Sequence, residues 1–369
     1  MNRITIIGNG FDLAHGMKTS YYDFICDYIR KVCKKAQVEK IYENKLMCVE
    51  KQQNNCQLDI KDETNIEWLF YIHKPLLTNH TTFIAPEFKK SGYLNWYPKP
   101  ITIHFKNSFI EKIFTQCHDC KWVDIENEFF EELKVILKDP DFRQKQEKVN
   151  ALNMAMKCLT SELETYISSL KDSMFIEGYK AILEENILKQ DIALPLITEN
   201  LIPNNHLILN FNYTDTIKHY NAGKNFKANF IHGHIYDVHN PLIFGFGDEI
   251  GSDYKRIEDE KVKGALNYIN SFGYFRTSNY HNLIKFISSD IYQIHILGHS
   301  CGLSDRTMLN MLFENDNCKS IKIFYYGSID RNNFGELTQE ISRHFINKTK
   351  LRERIVPFDK SIRMPQWNA

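Results

Sequence analysis

The sequence predicts an α/β protein, a Rossmann-like and mainly parallel sheet carrying a large helical insertion after its first strand. Three observations support this. The β-branched run Ile4-Thr5-Ile6-Ile7 stops abruptly in Gly8-Asn9-Gly10 and continues into a helix-compatible segment, the strand–turn–helix start of such a sheet. From His206 onward, short apolar runs alternate with helical stretches, as parallel strands and their crossovers do. Between these regions helix signals dominate, and one lone strand cannot make a sheet. The first strand therefore joins the C-terminal set. Residues 1–20 and 205–350 are expected to form the core, 21–204 the insertion and 351–369 a C-terminal tail.

Taken in order, Thr19-Ser20 can cap a helix from Tyr21 to about Lys35, with Phe24, Ile25, Tyr28, Ile29 and Val32 at helical spacing. The polar stretch from Glu50 to Asp62 reads as a surface loop. Helices are predicted over Ile103–Thr115, Asp124–Leu137, Val149–Leu170 and Met174–Leu188, where Gly and Pro are rare. Strands are predicted at Leu207–Phe211, Phe230-Ile231, Leu242–Phe244, Ile291–Leu297 and Ile321–Tyr326.

Composition narrows the function classes. Lys plus Arg and Asp plus Glu number 46 each, so no overall field draws the chain to nucleic acid or to an anionic membrane. No apolar run approaches the ~20 residues that span a bilayer. Nine cysteines follow no framework and the chain opens on a core strand, so a reducing cytoplasm is the expected location. Cys117 and Cys120 make a single CxxC pair, half of a zinc site, and no metal is expected.

In open parallel sheets ligands sit beyond the carboxyl ends of the strands, which makes the residues following each strand informative. They are Gly8 to Asp12, Asn210 to Asp215, His232-Gly233-His234, Phe244 to Asp248, and Gly298 to Asp305. Every end is rich in Gly, Asn, His, Ser and Asp, which a purely structural sheet does not require. The turn at Gly8 suits a phosphate, since glycine allows close backbone approach and a helix start offers free N–H groups. It matches neither G-x-G-x-x-G, because Leu13 stands where a glycine is needed, nor a P-loop. A competing reading takes Gly298-His299-Ser300-Cys301-Gly302 as a nucleophile elbow with Ser300 as nucleophile, Asp330 and His344 completing a triad. That reading leaves the other strand ends without roles.

The motifs taken together resemble those of sirtuins. Gly8-Asn9-Gly10-Phe11-Asp12 with Gly16 and Asp23-Phe24 is similar to G-A-G-I-S-x-x-x-G-I-P-D-F. Phe211-Asn212-Tyr213 with Asp215 resembles T-x-N-[YI]-D, the aspartate displaced by one because Thr214 intervenes. Ile231-His232-Gly233 resembles the pair that carries the catalytic base, and Gly298-His299-Ser300 the nucleotide-binding G-T-S or G-Y-S. The motifs keep the family's order.

More closely, the whole chain resembles the AbiH family of bacterial phage abortive-infection proteins. The matching stretches are IIGNGFDLAHGMKTSYYDF, WVDIENEFF from Trp122, LNFNYTDT, FIHGHI, IFGFGDE, SFGYFRTSNYHNL from Ser271 and ILGHSCGLSDRTMLNMLFE. The resemblance implies a phage-defence effector that hydrolyses NAD⁺ to ADP-ribose and nicotinamide without a metal. Asn212 and His232 would be catalytic. Gly8, Asn9, Gly10, Phe11, Asp12, Asp215, Gly298, His299, Ser300 and Asp305 would bind the nucleotide. Within that set Gly8 to Gly10 take the pyrophosphate, Asp12 or Asp305 a ribose hydroxyl and Ser300 a phosphate or ribose. The missing second CxxC argues against the deacylation of protein substrates. A non-catalytic sensor of a nucleotide or phage component is the alternative, and a phage-encoded trigger, a regulatory partner or self-assembly would fit either.

Overall fold

The computed structural model describes residues 1–51, 101–120, 124–171, 173–220 and 226–367. Along the chain β1 (Asn2–Ile7) and α1 (Asn9–Ala14) precede α2 (Tyr21–Glu39), β2 (Ile41–Glu43), β3 (Met47–Lys51), β4 (Ile101–Phe105), α3 (Ser108–Cys120), α4 (Ile125–Ile136) and α5 (Phe142–Ser168). There follow α6 (Glu177–Glu184), β5 (His206–Asn210), β6 (Phe226–Phe230), α7 (Ser252–Asp259), α8 (Asn270–Tyr274), α9 (Asn279–Ser289) and β7 (Tyr292–Leu297). The chain ends in α10 (Arg306–Glu314), β8 (Cys318–Tyr325), α11 (Phe334–Arg343), α12 (Lys348–Arg354) and β9 (Ile362–Arg363). It divides into two compact units, residues 1–19 with 167–369, and residues 20–166.

The first unit is built on a six-stranded sheet in the order β6-β5-β1-β7-β8-β9, every pair parallel. Counting these strands along the chain, the spatial order is 3-2-1-4-5-6, that of the doubly wound α/β fold. Both faces are covered, and the faces differ. One carries Ile4, Ile6, Leu207, Leu209, Ile294, Ile296 and Ile323 against Leu283 and Ile287 of α9 and Leu309, Leu312 and Phe313 of α10, an apolar layer throughout.

The opposite face starts polar. In register, His206, Arg3, Gln293 and Ser320 form one row across β5, β1, β7 and β8, and Thr5, His295 and Lys322 lie in the next. Thr5 bonds His206 (2.8 Å), Gln293 bonds Ser320 (3.0 Å) and His295 (3.0 Å), and Lys322 pairs with Asp191 (3.0 Å) and Glu185 (3.2 Å). Nearer the carboxyl ends this face becomes apolar, with Ile7, Leu297 and Phe324 packed against Phe11, Tyr179 and Ile182. Burial pushes His206 down to about 3, with Arg3 adding to it, and pushes His295 well below its ordinary range. Both imidazoles are therefore neutral, and the charge in this layer rests on Arg3, which bonds Glu185 O and Gln293, and on Lys322 paired with Glu185 and Asp191.

The second unit holds α2 to α5 and an antiparallel sheet in the order β2-β3-β4. Helix α2 begins where expected, the Ser20 hydroxyl accepting a bond from the Asp23 N–H (3.1 Å), and buries Phe24, Ile25, Tyr28, Ile29 and Val32. Helix α4 is capped by Asp124, which accepts from the Asn127 N–H (3.0 Å).

The structure corrects three elements. Ile103 lies in β4, where the β-branched Ile101-Thr102-Ile103 suits a strand, and the following helix starts only at Ser108, with Asn107 accepting from the Ile110 N–H (3.0 Å). Leu242–Phe244 is not a strand. Pro241 before it lacks an N–H, and Ile243 donates a single bond to His232 O (2.8 Å). The predicted Met174–Leu188 helix is shorter, Glu177–Glu184. Most of the predicted 50–62 loop and residues 122–123 of the Trp122 stretch lie outside the described residues. Among the described residues no helix is long and apolar enough to cross a membrane.

Candidate functional site

The motif-bearing strand ends belong to β6, β5, β1 and β7, which are four adjacent strands. Their following loops touch. The Asn212 side-chain amide donates to Gly8 O (3.0 Å), which ties the end of β5 to the turn after β1. On the other side Gly10 N–H donates to Gly298 O (2.8 Å), and Gly8 N–H to Leu297 O (3.3 Å). Gly298 has φ +68, and a Cβ there would lie 2.2 Å from Phe11 N. Only glycine can stand at this crossing. The turn's two glycines thus let two backbones meet, and their amides are already engaged.

A cluster of imidazoles surrounds Asp305. Nε2 of His232 lies 3.1 Å from Asp305 Oδ1 and 3.0 Å from the Tyr274 hydroxyl, and Nε2 of His299 lies 3.6 Å from Asp305 Oδ2. The Phe211 ring stands edge-on to both histidines, 4.8 Å from His232 and 4.3 Å from His299 between centroids. The Cys301 N–H donates to His299 Nδ1 (3.0 Å), so the proton of the neutral His299 ring sits on Nε2. His344 donates through Nε2 to Cys301 O (2.7 Å). These two imidazoles hold Cys301, which is buried and has φ +54, in a backbone conformation that a side chain rarely adopts.

The electrostatics follow from burial. Burial pushes His299 down to about 4, and His344 is lowered for the same first reason. Burial alone would raise Asp305, but His232, then His299 and His344, outweigh it and hold the carboxyl below its ordinary value. Asp12 goes the other way. It is 1 % exposed, and burial raises it to about 6 despite hydrogen bonds from Thr214 (2.6 Å), Thr216 and Asn212.

The remaining expected ligand residues are placed less uniformly. Asn9 is exposed at the turn's tip and accepts from the Thr19 hydroxyl (2.5 Å). The Phe11 ring is fully buried beside His15 and Tyr179. Asp215 is half-buried and bonded to His234 (2.5 Å) and Lys218 (2.6 Å), which together keep its carboxyl low against the opposing effect of burial. Ser300 is exposed. The nucleophile elbow is not assembled, because His344 faces Cys301 O through Nε2 and Asp330 is exposed at the surface. The triad reading through Ser300 is thereby corrected.

A cleft opens beside Asp305, bounded by Gly247, Ser271, Tyr274, Tyr280, Thr307 and Met308. Its volume of ≈ 10 Å³ has room for about one water molecule. Tyr274 and Tyr280 stack across it at 5.4 Å and 12°. Neither tyrosine was singled out from the sequence. They follow no strand, and the only signal they carried was membership of the stretch from Ser271 that resembles AbiH. Among the described residues no three His, Cys, Asp or Glu side chains are placed to hold a metal ion.

No curated protein and no solved structure matches the chain significantly. The family model described as bacteriophage abortive infection AbiH matches residues 4–326, a span that includes Ile4–Ile7 of β1, His232, His299 and Asp305, and β8. The chain belongs to the AbiH family, and its role is in phage abortive infection.

Proposed function

We propose that the protein acts in abortive infection by hydrolysing NAD⁺ to ADP-ribose and nicotinamide, loss of the cofactor halting the infected cell. The observation that carries this reading is the adjacency of the motif strands. The Gly8 turn, Asn212, His232 and Gly298-His299, far apart in the chain, end neighbouring strands; the Gly8 turn touches Asn212 and Gly298 directly, and His232 and His299 meet across Phe211 and Asp305.

The reaction adds water to C1′ of the nicotinamide ribose while the C–N bond breaks and its electron pair leaves with nicotinamide. It needs a base for the water and a group that orients it. His232 supplies the base. Asn212 directs its amide nitrogen to Gly8 O and to Asp12, so its oxygen Oδ1 is the atom left to orient water. Asp12 and Ser300 are the ribose and phosphate contacts. The pyrophosphate meets the turn at Asn9, since the Gly8 and Gly10 amides are engaged. The one-water cleft means that NAD⁺ enters only after the Tyr274 side opens, a step suited to a phage-derived trigger or a regulatory partner.

The test is nicotinamide release from NAD⁺ by the purified protein and by His232→Ala and Asn212→Ala, each checked for folding by circular dichroism. Release by the wild type, reduced on the order of 100-fold or more in His232→Ala, is the expected result. NAD⁺ binding without release would favour the sensor. A wild type that neither binds nor cleaves NAD⁺, and leaves cellular NAD⁺ unchanged during phage challenge, would refute the proposal.

A further inference from the structure

Asp305 directly precedes α10 at the N-cap position, the place where an aspartate ordinarily accepts bonds from the helix N–H groups. Its side chain makes no such bond. It is turned instead toward two imidazoles, and it is 8 % exposed. The neighbouring Arg306 is paired elsewhere, with Asp248 (3.1 Å). Among the described residues the ion-pair partners of the Asp305 carboxylate are His232 and His299 alone.

We propose that Asp305 is a positioning residue, which fixes the proton of neutral His232 on Nε2 and so makes Nδ1 the basic nitrogen of the site. The use of that base in NAD⁺ hydrolysis rests on the reading above. The pairing with Asp305 does not.

Proton placement follows from counting donors. His299 must carry its proton on Nε2, because Nδ1 accepts from Cys301 N–H, and that proton faces Asp305 Oδ2. His232 Nε2 has two neighbours, Asp305 Oδ1 and the Tyr274 hydroxyl. If Nε2 were bare it would accept from Tyr274, and Oδ1 would face a lone pair. Oδ1 is buried and no hydrogen bond of full geometry reaches it, so the 3.1 Å approach of His232 Nε2 is the contact that can supply it a proton. A buried carboxylate oxygen without a donor is among the costliest arrangements a fold can hold, and a charge-assisted N–H bond outweighs a neutral O–H to nitrogen bond. The proton therefore sits on Nε2, with Tyr274 a secondary acceptor. Nδ1 is left with its lone pair and takes no partner among the described residues. The same arrangement of carboxylate and imidazole recurs wherever a histidine base must be held in one tautomer.

The experiment reads the tautomer directly. Full-length protein labelled with ¹⁵N-histidine is followed by long-range ¹H–¹⁵N correlation at alkaline pH, above the ordinary imidazole range. Its signals are assigned among the 14 histidines by their loss in His232→Gln. Expected for the wild type is a protonated-type shift at Nε2 and a bare-type shift at Nδ1. Asp305→Ala should move His232 to the opposite tautomer, with Tyr274 now donating to Nε2, whereas Tyr274→Phe should leave Nε2 protonated. A wild-type His232 protonated on Nδ1, or a tautomer unmoved by Asp305→Ala in a folded protein, would overturn the assignment. Nicotinamide release is scored separately, so an inactive wild type with Nε2 protonated counts against NAD⁺ hydrolysis and for the Asp305 pairing.

Discussion

Replacing Asp12 by asparagine removes a titrating group without changing its shape, and the structure predicts how stability then varies with pH. Burial lifts the carboxyl from an ordinary 3.8 to about 6, against the hydrogen bonds of Thr214, Thr216 and Asn212. The folded protein therefore binds this proton more tightly than the unfolded chain. Below pH ~4 both states are protonated and the group's stabilising contribution is fully present; between pH ~4 and ~6 only the folded state keeps the proton, and stability falls as pH rises. At about 1.4 kcal/mol for each tenfold difference in proton affinity, the loss amounts to about 3 kcal/mol, complete by pH ~7. Asp12 is 1 % exposed, so solvent screening takes little from this figure. The assay is urea denaturation of wild type and Asp12→Asn from pH 4 to pH 8, scored as the difference between the two proteins so that all other titrating groups cancel. The wild type should lose about 3 kcal/mol relative to the variant across that range. Parallel profiles, or a wild type that gains on the variant as pH rises, would refute the buried carboxyl as described.

Two further pairs of substitutions test the loop crossing and the polar layer of the sheet. Gly298→Ala forces a side chain into φ +68 and sets its Cβ 2.2 Å from Phe11 N, so a loss of at least ~3 kcal/mol is expected, seen as a fall in the urea midpoint. Gly302→Ala, four residues on, meets nothing closer than 3.7 Å and should stay within ~0.5 kcal/mol; equal effects at the two positions would contradict the loop crossing. Lys322→Met leaves Asp191, 1 % exposed, as a buried charge without its cation, at a cost of ~3–5 kcal/mol. Adding Asp191→Leu should recover part of that loss, and a double variant no more stable than the single would show that the pair is not the reason for the cost.

Much of the sheet was legible in the chain because parallel strands buried on both faces read as apolar runs. Ile4–Ile7, Leu207–Phe211 and Ile291–Leu297 are of this kind. The same rule misled at Leu242–Phe244, an apolar run that is buried without being a strand. Burial alone produces such a run, and the flanking Pro241, Gly245 and Gly247 mark the irregular backbone that the run by itself does not. Strands β2, β3 and β4 went unseen for the converse reason: β2 is three residues long and mostly exposed, and β4 pairs with a segment some fifty positions earlier. His206, His295 and Lys322 within strands read as exceptions in sequence. Only the register shows that they stand in adjacent rows with Arg3 and Gln293.

For the candidate site, residue types were legible and directions were not. Gly8-Asn9-Gly10 carries the composition of a phosphate turn, and composition cannot say whether a glycine admits a ligand or another stretch of backbone. Here Gly10 and Gly298 admit each other, at the point between β1 and β7 where the doubly wound order reverses and a crevice ordinarily opens. That point is crossed by backbone, and a small cleft lies beside Asp305, lined by Tyr274 and Tyr280. Asp305 shows the same limit. In sequence it is an N-cap, since an aspartate before a helix satisfies that role locally, and only three-dimensional packing reveals that His232 and His299 compete for its carboxylate and win. A helix can start without its cap for ~1 kcal/mol, whereas a buried carboxylate left without a donor costs more, so the fold gives up the cheaper local bond and keeps Asp305 turned toward the two imidazoles.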